Sequence, residues 1–166
     1  MHEKKTIKRN FGPVFDENSK ILILGSFPSV KSREAEFFYG HPQNRFWKVL
    51  SSLTGKAFPE DIKGKIQILL SEEIALWDVI EQCDIAGSSD STIENVVPVD
   101  IEIITDTADI KAVFCNGTTS FALYEKYLEK RTGIKAVKLP STSPANAAWS
   151  LEKLTEEWEK QIKKYY

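Results

Sequence analysis

The sequence predicts an α/β fold, a three-layer α/β/α sandwich around a central, mainly parallel four-stranded sheet. Short runs of β-branched residues and leucine alternate along the chain with longer segments whose apolar residues recur at helical spacing. Each apolar run is followed by a polar turn, as expected where parallel strands end at one edge of a sheet. A chain of 166 residues fits one domain with a sizeable core, so we expect a single domain over residues 1–166.

Four continuous apolar runs are predicted as strands, because strands buried on both faces of a parallel sheet have this character. They cover residues 21–24, 74–77, 112–115 and 136–139. The residues before Ser19 are expected to form an irregular arm with a turn at Gly12 and Pro13. The polar stretch 83–95, rich in serine and acidic residues, is expected to form a loop.

The spacing of apolar residues predicts helices over about residues 44–53, 59–70, 120–131 and 150–164, with a short one after Asp100. Ile62 and Leu151 are assigned to the buried faces of the second and the last of the longer helices. Glycine at positions 55 and 133 is suited to end the helix before it. Residues 29–43 are predicted as a long loop, and such loops in compact domains are often binding loops.

Composition argues against several classes of protein. The chain is 42% hydrophobic and 28% charged, as in soluble globular proteins, and no apolar run approaches the roughly 20 residues of a spanning helix. The amino terminus lacks the apolar segment of a signal peptide, so a cytoplasmic or nucleoplasmic protein without a membrane segment is expected. Cys83 and Cys115 lack metal-ligand spacing, and His2 and His41 are the only histidines, so we expect neither a metal nor another cofactor.

The formal net charge of −2 argues weakly against a protein that neutralises phosphates over a broad face. Basic residues nevertheless gather at positions 4–9, at Lys31 and Arg33, and from Lys126 to Lys138. A local basic rim and ordinary solvated faces both remain open.

Polar and aromatic groups are densest at residues 39–47, just before the first predicted long helix. Pro42 prevents helix continuation, and Gln43 or Asn44 is then placed to cap the helix that follows. The predicted strands also bring the turns at 25–29, 77–78, 116–119 and 140–146 to one edge of the sheet. Ligands of such sheets bind in the crevice at this edge, with residues 39–44 folding over it.

These residues resemble the uracil-DNA glycosylase superfamily from Ile21 to the last helix. Residues 41–47 (HPQNRFW) are similar to the mismatch-specific uracil/thymine glycosylases, whereas the YGHP opening at 39–42 and residues 139–147 (LPSTSPANA) look more like the hypoxanthine-DNA glycosylase branch. The chain departs from the mismatch enzymes at Phe27, where they carry the asparagine that positions the attacking water, and at Ser29, where they carry glycine. It also lacks the His-Pro-Ser motif of the uracil-only enzymes.

The resemblance implies a monofunctional DNA glycosylase that flips hypoxanthine, and other deaminated bases, out of DNA and lets water attack the anomeric carbon. The implied partner is DNA containing a deaminated base, and a monomer is expected. Two alternatives stay open: a G/U mismatch-specific uracil-DNA glycosylase, and a non-catalytic module of the same fold that binds damaged bases or nucleotides. The acidic pI of about 5.8 fits the non-catalytic module slightly better.

Within this resemblance Asn44 is the implied catalytic residue, since its amide would orient the water; a helix cap is its alternative role. The implied base-binding residues are Gly25, Ser26, Phe27, Tyr39, His41 and Asn116.

Each base-binding assignment has a structural alternative. The backbone N–H groups of Ser26 and Phe27 would donate to the base, or form an ordinary turn. Tyr39 would stack on the base or pack on the core, and His41 would cover the base or serve only as a structural residue. Asn116 would contact the base edge or belong to an Asn-Gly turn.

The implied DNA-binding loop holds the flanking phosphates and enters the space that the base leaves. Its residues are Ser141, Thr142, Ser143, Pro144, Ala145 and Asn146. The alternative is a proline-rich connection between a strand and the last helix.

Overall fold

The computed structural model describes residues 3–165 and contains two β-sheets. The strands are β1 (Lys4–Lys8), β2 (Ile21–Gly25), β3 (Ile74–Asp78), β4 (Ile80–Ala86), β5 (Ser89–Pro98), β6 (Ala112–Asn116) and β7 (Ala136–Leu139). The helices are α1 (Val30–Ala35), α2 (Phe46–Thr54), α3 (Ile62–Ser71), α4 (Glu102–Thr105), α5 (Thr118–Tyr127), α6 (Glu129–Thr132) and α7 (Leu151–Ile162), and a 3₁₀ turn, Lys163–Tyr165, follows.

The central sheet has four parallel strands in the order β3-β2-β6-β7, which confirms the predicted architecture. All five residues of β2 and of β3 are buried, because helices cover both faces of the sheet. At the carboxyl edge Gly25 lies opposite Asp78, and Asn116 lies opposite Leu139. The ends of all four strands therefore form one row across the sheet.

The order of the strands locates a crevice between β2 and β6. From β2 the chain crosses to β3 on one side, then returns past β2 to β6 and β7. Right-handed crossovers place α2 and α3 on one face and α4 to α6 on the other. Helix α7 packs against α2 and β7, so it joins the first face. A change of direction of this kind opens a crevice at the carboxyl ends of the strands.

A second, antiparallel sheet has the order β1-β4-β5 and contradicts two predictions. Residues 4–8 are a strand rather than part of an irregular arm, and residues 83–95 belong to a hairpin rather than to a loop. Most of β1 is exposed, and register shifts interrupt the pairing of β4 with β5. The apolar alternation that marks a half-buried strand is therefore weak in this part of the sequence.

Three smaller expectations were also wrong. The predicted loop 29–43 contains α1, whose first turn is capped where the Ser32 N–H donates to Ser29 Oγ at 3.1 Å. The predicted helix 120–131 is interrupted at Leu128 and forms α5 and α6. Ile62 and Leu151 are exposed, because α3 and α7 present other residues to the core.

Aromatic side chains link α7 to the rest of the core. The buried ring of Trp158 meets Phe46 of α2 edge-on, with centroids 5.8 Å apart, and its indole N–H donates to the carbonyl of Pro140 at 2.9 Å.

Burial raises the pKa of the Cys83 thiol to about 11 and that of Cys115 to about 12, so both remain neutral thiols. No helix within residues 3–165 is long and apolar enough to cross a bilayer.

Candidate active site

A cavity of about 500 Å³ opens at the carboxyl edge of the parallel sheet, where β2 and β6 end. Its volume is typical of a small-molecule site, for which roughly 300–1,000 Å³ is common. All but one of the residues predicted for the site line it, and the exception is Asn146. The residues that do so are Gly25, Ser26, Phe27, Tyr39, His41, Asn44, Asn116, Ser141, Thr142, Ser143, Pro144 and Ala145.

The floor of the cavity depends on a glycine at the end of β2. A Cβ atom on Gly25 would lie 2.4 Å from the Asp78 carboxylate and 3.1 Å from the hydroxyl of Tyr39. Both groups are packed in the protein interior, so neither is free to move aside. Glycine is therefore needed here for close approach of side chains to the backbone.

Replacing Gly25 with alanine is expected to lower the free energy of unfolding by about 1–3 kcal/mol, the usual cost of overpacking a core. Urea denaturation followed by tryptophan fluorescence would measure the change. Gly12→Ala is the matched control, because a Cβ on Gly12 meets no atom within 4 Å. Equal stability of the two variants would contradict the close packing described for Gly25.

A buried ion pair lies below the floor. Asp78 accepts a hydrogen bond from Arg9 at 3.0 Å, and the two side chains are 6% and 2% exposed. Arg9 also donates to the carbonyls of Phe11 and Ile80. Desolvation raises the pKa of Asp78, and the charge of Arg9 opposes this rise. Arg9, grouped with the amino-terminal basic residues in the sequence, is thus an interior residue.

Asn44 stands at the entrance of α2 with its carbonyl oxygen fixed. Its Oδ1 accepts from the backbone N–H of Phe46 and from the hydroxyl of Thr142, each at 2.9 Å. The first of these bonds satisfies the N–H of the first residue of α2, although the N-cap position itself is occupied by Arg45, so Asn44 supports the start of the helix from one residue outside it. Within residues 3–165 the amide nitrogen of Asn44 has no protein partner, so its two N–H donors remain available to a molecule in the cavity.

Thr142 connects Asn44 to Asn116. The side-chain N–H of Asn116 donates to the Thr142 hydroxyl at 3.0 Å, and the Thr142 backbone N–H donates back to Asn116 Oδ1 at 3.0 Å. Thr142 itself is fully buried. A continuous chain of hydrogen bonds therefore joins the end of β6, the loop after β7 and the start of α2.

Tyr39 is held between the core and the cavity. Its backbone has a positive φ of 53°, and one face of its ring stacks on Phe46 with centroids 4.2 Å apart. The hydroxyl is buried without a hydrogen bond of normal geometry in the described part of the chain, although Asn116 lies close enough to lower its pKa. Burial, reinforced by the Asp78 charge, outweighs this and raises the pKa, so the phenol stays neutral.

His41 and Phe27 are both constrained by their neighbours. His41 Nδ1 accepts from the backbone N–H of Gln43 at 3.1 Å, which fixes the ring within its own turn. Phe27 is 8% exposed, and the guanidinium of Arg33 lies 5.6 Å from the centre of its ring. One edge of the cavity is therefore apolar and rigid.

The loop 140–149 is held in place by Arg45, which the sequence did not single out. Its guanidinium donates to four carbonyls, those of Thr142, Ser143, Asn146 and Trp149. Arg45 directly follows Asn44, so one short segment supplies both the amide at the cavity and the support of the loop. The one feature of the sequence that could have pointed to Arg45 is its place within the HPQNRFW motif.

Replacing Arg45 with lysine is expected to lower the free energy of unfolding by about 1–3 kcal/mol, because one ammonium cannot satisfy four diverging carbonyls. Limited proteolysis should also cut residues 143–149 faster than in the unmodified protein. Lys48→Ala is a suitable control, since Lys48 is an exposed cation on the same helix. Unchanged proteolysis and unfolding of Arg45→Lys would contradict the supporting role.

The tip of the β4–β5 hairpin forms a further wall of the cavity, contributed by Ser88, Ser89 and Asp90. No pattern in the sequence predicts this position of the tip, because residues 83–95 are polar and were expected to form a loop. The Ser26 hydroxyl lies 3.1 and 3.2 Å from the two oxygens of Asp90. The residue as a whole is exposed, yet desolvation of its carboxylate raises the pKa of Asp90 while the Ser26 hydrogen bond opposes the rise.

Among the residues that the structure describes, no group of three or more His, Cys, Asp or Glu side chains is arranged to hold a metal ion. The cavity instead offers amide and backbone donors, a neutral phenol and two carboxylates, of which Asp78 is paired with Arg9 and Asp90 is not. Such a set is suited to a planar polar molecule and to a positioned water.

The model of the uracil DNA glycosylase superfamily matches residues 13–164. A hypoxanthine DNA glycosylase of Methanosarcina barkeri is 35% identical over 159 residues, which cover 95% of this chain and 99% of the relative. One from Methanosarcina acetivorans is 34% identical over 154 residues, covering 92% and 96%. An NMR structure from M. acetivorans, of a candidate uracil DNA glycosylase, matches with a TM-score of 0.78 and 33% identity, covering 94% of this chain and 96% of that one.

Proposed function

The chain belongs to the uracil DNA glycosylase superfamily, and from this premise we propose that it is a monofunctional DNA glycosylase that releases hypoxanthine from DNA. The observation that carries the proposal is the Asn44 amide, whose oxygen is fixed by two donors while its nitrogen is left to the cavity. The names of the two Methanosarcina relatives support hypoxanthine as the base.

The first step is extrusion of the nucleotide, which costs a few kcal/mol and least for a poorly paired base such as hypoxanthine. Pro144 and Ala145 are exposed at the tip of the loop that Arg45 supports, where they can enter the gap in the duplex. The hydroxyls of Ser141 and Ser143 accept from backbone N–H groups of their own loop. Their hydroxyl hydrogens remain free to donate to flanking phosphates, which sets the register without reading sequence.

The second step is hydrolysis of the N-glycosidic bond. As the bond from C1′ to N9 breaks, its electron pair leaves with the base and positive charge develops on the sugar. An N–H of Asn44 holds the water that attacks C1′, and the proton of that water passes to solvent. An amide is a poor base, so the contribution of Asn44 is positioning. To the backbone N–H groups of Ser26 and Phe27, two cavity residues that follow β2, the proposal assigns the stabilisation of negative charge on the base.

The residues around the cavity support hydrolysis without strand cleavage. Strand cleavage by a glycosylase of the lysine-dependent type needs an amine that attacks C1′. No lysine is found among the described residues that line the cavity. Phe27, held under Arg33, also takes the place of the asparagine on which the mismatch-specific enzymes depend, which favours hypoxanthine over uracil as the main substrate.

The test is a panel of duplex oligonucleotides that each carry one hypoxanthine, xanthine or uracil, scored for alkali-labile abasic sites. Hypoxanthine should be released fastest. Faster release of uracil opposite guanine would support the mismatch-specific alternative, and binding without release of any base would support the non-catalytic module.

A further inference from the structure

The tip of the β4–β5 hairpin is fixed against helix α1 and against Ser26, the residue that follows β2. The backbone N–H of Val30 donates to the Ser88 hydroxyl at 2.8 Å, and Arg33 donates to the carbonyl of Gly87 at 3.3 Å. Asp90 follows on the same tip and contacts Ser26. Three residues of the tip thus make contacts that hold it at the cavity wall, and the contact of Asp90 is made by its carboxylate.

The carboxylate of Asp90 has capacity for further hydrogen bonds. Two carboxylate oxygens accept about four hydrogen bonds, and the single Ser26 hydroxyl supplies one proton between them. In the described part of the chain Asp90 has no cationic partner and no second hydrogen-bond donor. An N–H group of a ligand that faced this wall could therefore donate to the Asp90 carboxylate, which the Ser26 hydroxyl already holds in position.

The two amides on the other side of the row of strand ends are largely occupied. Asn116 uses its oxygen and one N–H on Thr142, and Asn44 uses its oxygen on Thr142 and Phe46. The oxygen of Asn44 already accepts two hydrogen bonds, and that of Asn116 accepts one and is held in its pair with Thr142, so each has less acceptor capacity left than a carboxylate. Two carboxylates line the cavity, and that of Asp78 is paired with Arg9, so the carboxylate of Asp90 is the one with the most acceptor capacity left.

We propose that Asp90 determines base specificity by accepting the N1–H of a 6-oxopurine, an inference that rests on the function proposed above. Adenine, from which hypoxanthine arises by deamination, has a lone pair at N1 in place of this hydrogen. A carboxylate facing that lone pair would be left unpaired and repelled, and sites built on such a bond reject the analogue that lacks it strongly. Guanine also carries N1–H, but its pairing with cytosine opposes extrusion.

The test compares three bases in one duplex sequence: hypoxanthine, 1-methylhypoxanthine and adenine, each opposite an abasic-site analogue so that pairing plays no part. Single-turnover release is measured for the unmodified protein, Asp90→Ala and Asp90→Asn. The unmodified protein should release hypoxanthine at least about 100-fold faster than the other two bases. Asp90→Ala should release hypoxanthine about 10- to 100-fold more slowly and 1-methylhypoxanthine no more slowly, since the methyl group gains room.

The decisive quantity is the rate of hypoxanthine release divided by the rate of 1-methylhypoxanthine release. If this ratio is at least about tenfold lower in Asp90→Ala than in the unmodified protein, the inference is supported. If the ratio is the same in both proteins, the inference is overturned while the glycosylase activity stays established. Asp84→Asn is the control, because Asp84 lies on the same hairpin and does not line the cavity. Should the alanine variant not fold, Asp90→Leu removes the acceptor at similar size and gives the same comparison, whereas Asp90→Asn keeps an amide oxygen that can still accept from N1–H. Failure of the unmodified protein to release hypoxanthine would instead remove the proposed function.

Discussion

Replacement of Asn44 by alanine is expected to slow base release by about 100- to 1,000-fold, the usual cost of losing a group that positions a reactant or stabilises the transition state. The amide nitrogen of Asn44 has no protein partner within residues 3–165 and lines the cavity, so its loss removes the donor that holds the water. Single-turnover release from a hypoxanthine duplex measures the rate. Affinity for the same duplex should change little, since the phosphate contacts are proposed for Ser141 and Ser143 and not for Asn44.

The structural role of Asn44 has to be separated from this catalytic one. Asn44→Asp keeps an acceptor for the Phe46 N–H and the Thr142 hydroxyl but has no N–H, so it should fold normally and still release the base at least about tenfold more slowly. Thr142→Val is the converse variant, because it removes the hydroxyl bonded to Asn44 and Asn116 and leaves the Asn44 amide in place, so it should slow base release less than Asn44→Ala does. Release by Asn44→Ala at the rate of the unmodified protein would exclude Asn44 as the catalytic residue.

Replacement of Arg9 by alanine is expected to lower the free energy of unfolding by about 3–5 kcal/mol, because it leaves the buried carboxylate of Asp78 without its cation. Adding Asp78→Asn to this variant should recover part of the loss, since the remaining group is neutral. Arg131→Ala is the control: Arg131 pairs with Asp100 and Glu102 at the surface, where such pairs contribute about 0–1 kcal/mol.

The effect of Arg9→Ala should depend on pH in a defined direction. The folded state raises the pKa of Asp78 above its unfolded value of about 4, so the folded state holds this proton more tightly. The stability that Asp78 contributes by holding this proton is complete at pH values below its pKa in the unfolded state. That stability is lost as the pH rises through the pKa of Asp78 in the folded state. Without Arg9 the pKa rises further, so the destabilisation should be smaller in mild acid than at neutral pH. Urea denaturation at about pH 5 and about pH 7.5 would test this, and a larger loss at the lower pH would contradict it.

The parallel sheet was predictable because its strands are buried on both faces and hence continuously apolar. The four runs recognised in the sequence are strands β2, β3, β6 and β7. Strands β1, β4 and β5 were not predicted: most residues of β1 and β5 are exposed, and register shifts interrupt the pairing of β4 with β5. Their existence depends on tertiary contacts, which a local pattern does not contain.

The same distinction applies to the site. Parallel strands end at one edge, so the meeting of Asn44, Asn116 and Thr142 followed from the order of the elements and from the family motif. The contact of Arg9 with Asp78 joins residues 69 positions apart, and that of Ser26 with Asp90 joins residues 64 apart. Neither pair has a motif, and both depend on how the antiparallel sheet is placed on the parallel one.

That placement gives the amino-terminal strand an influence on the active site. Strand β1 pairs with β4 from Lys4 to Lys8, and β4 continues into the hairpin whose tip carries Asp90. The next residue, Arg9, is bonded to the cavity floor through Asp78. Loss of the pairing between β1 and β4 is therefore expected to loosen both the wall that carries Asp90 and the Arg9–Asp78 pair below the cavity.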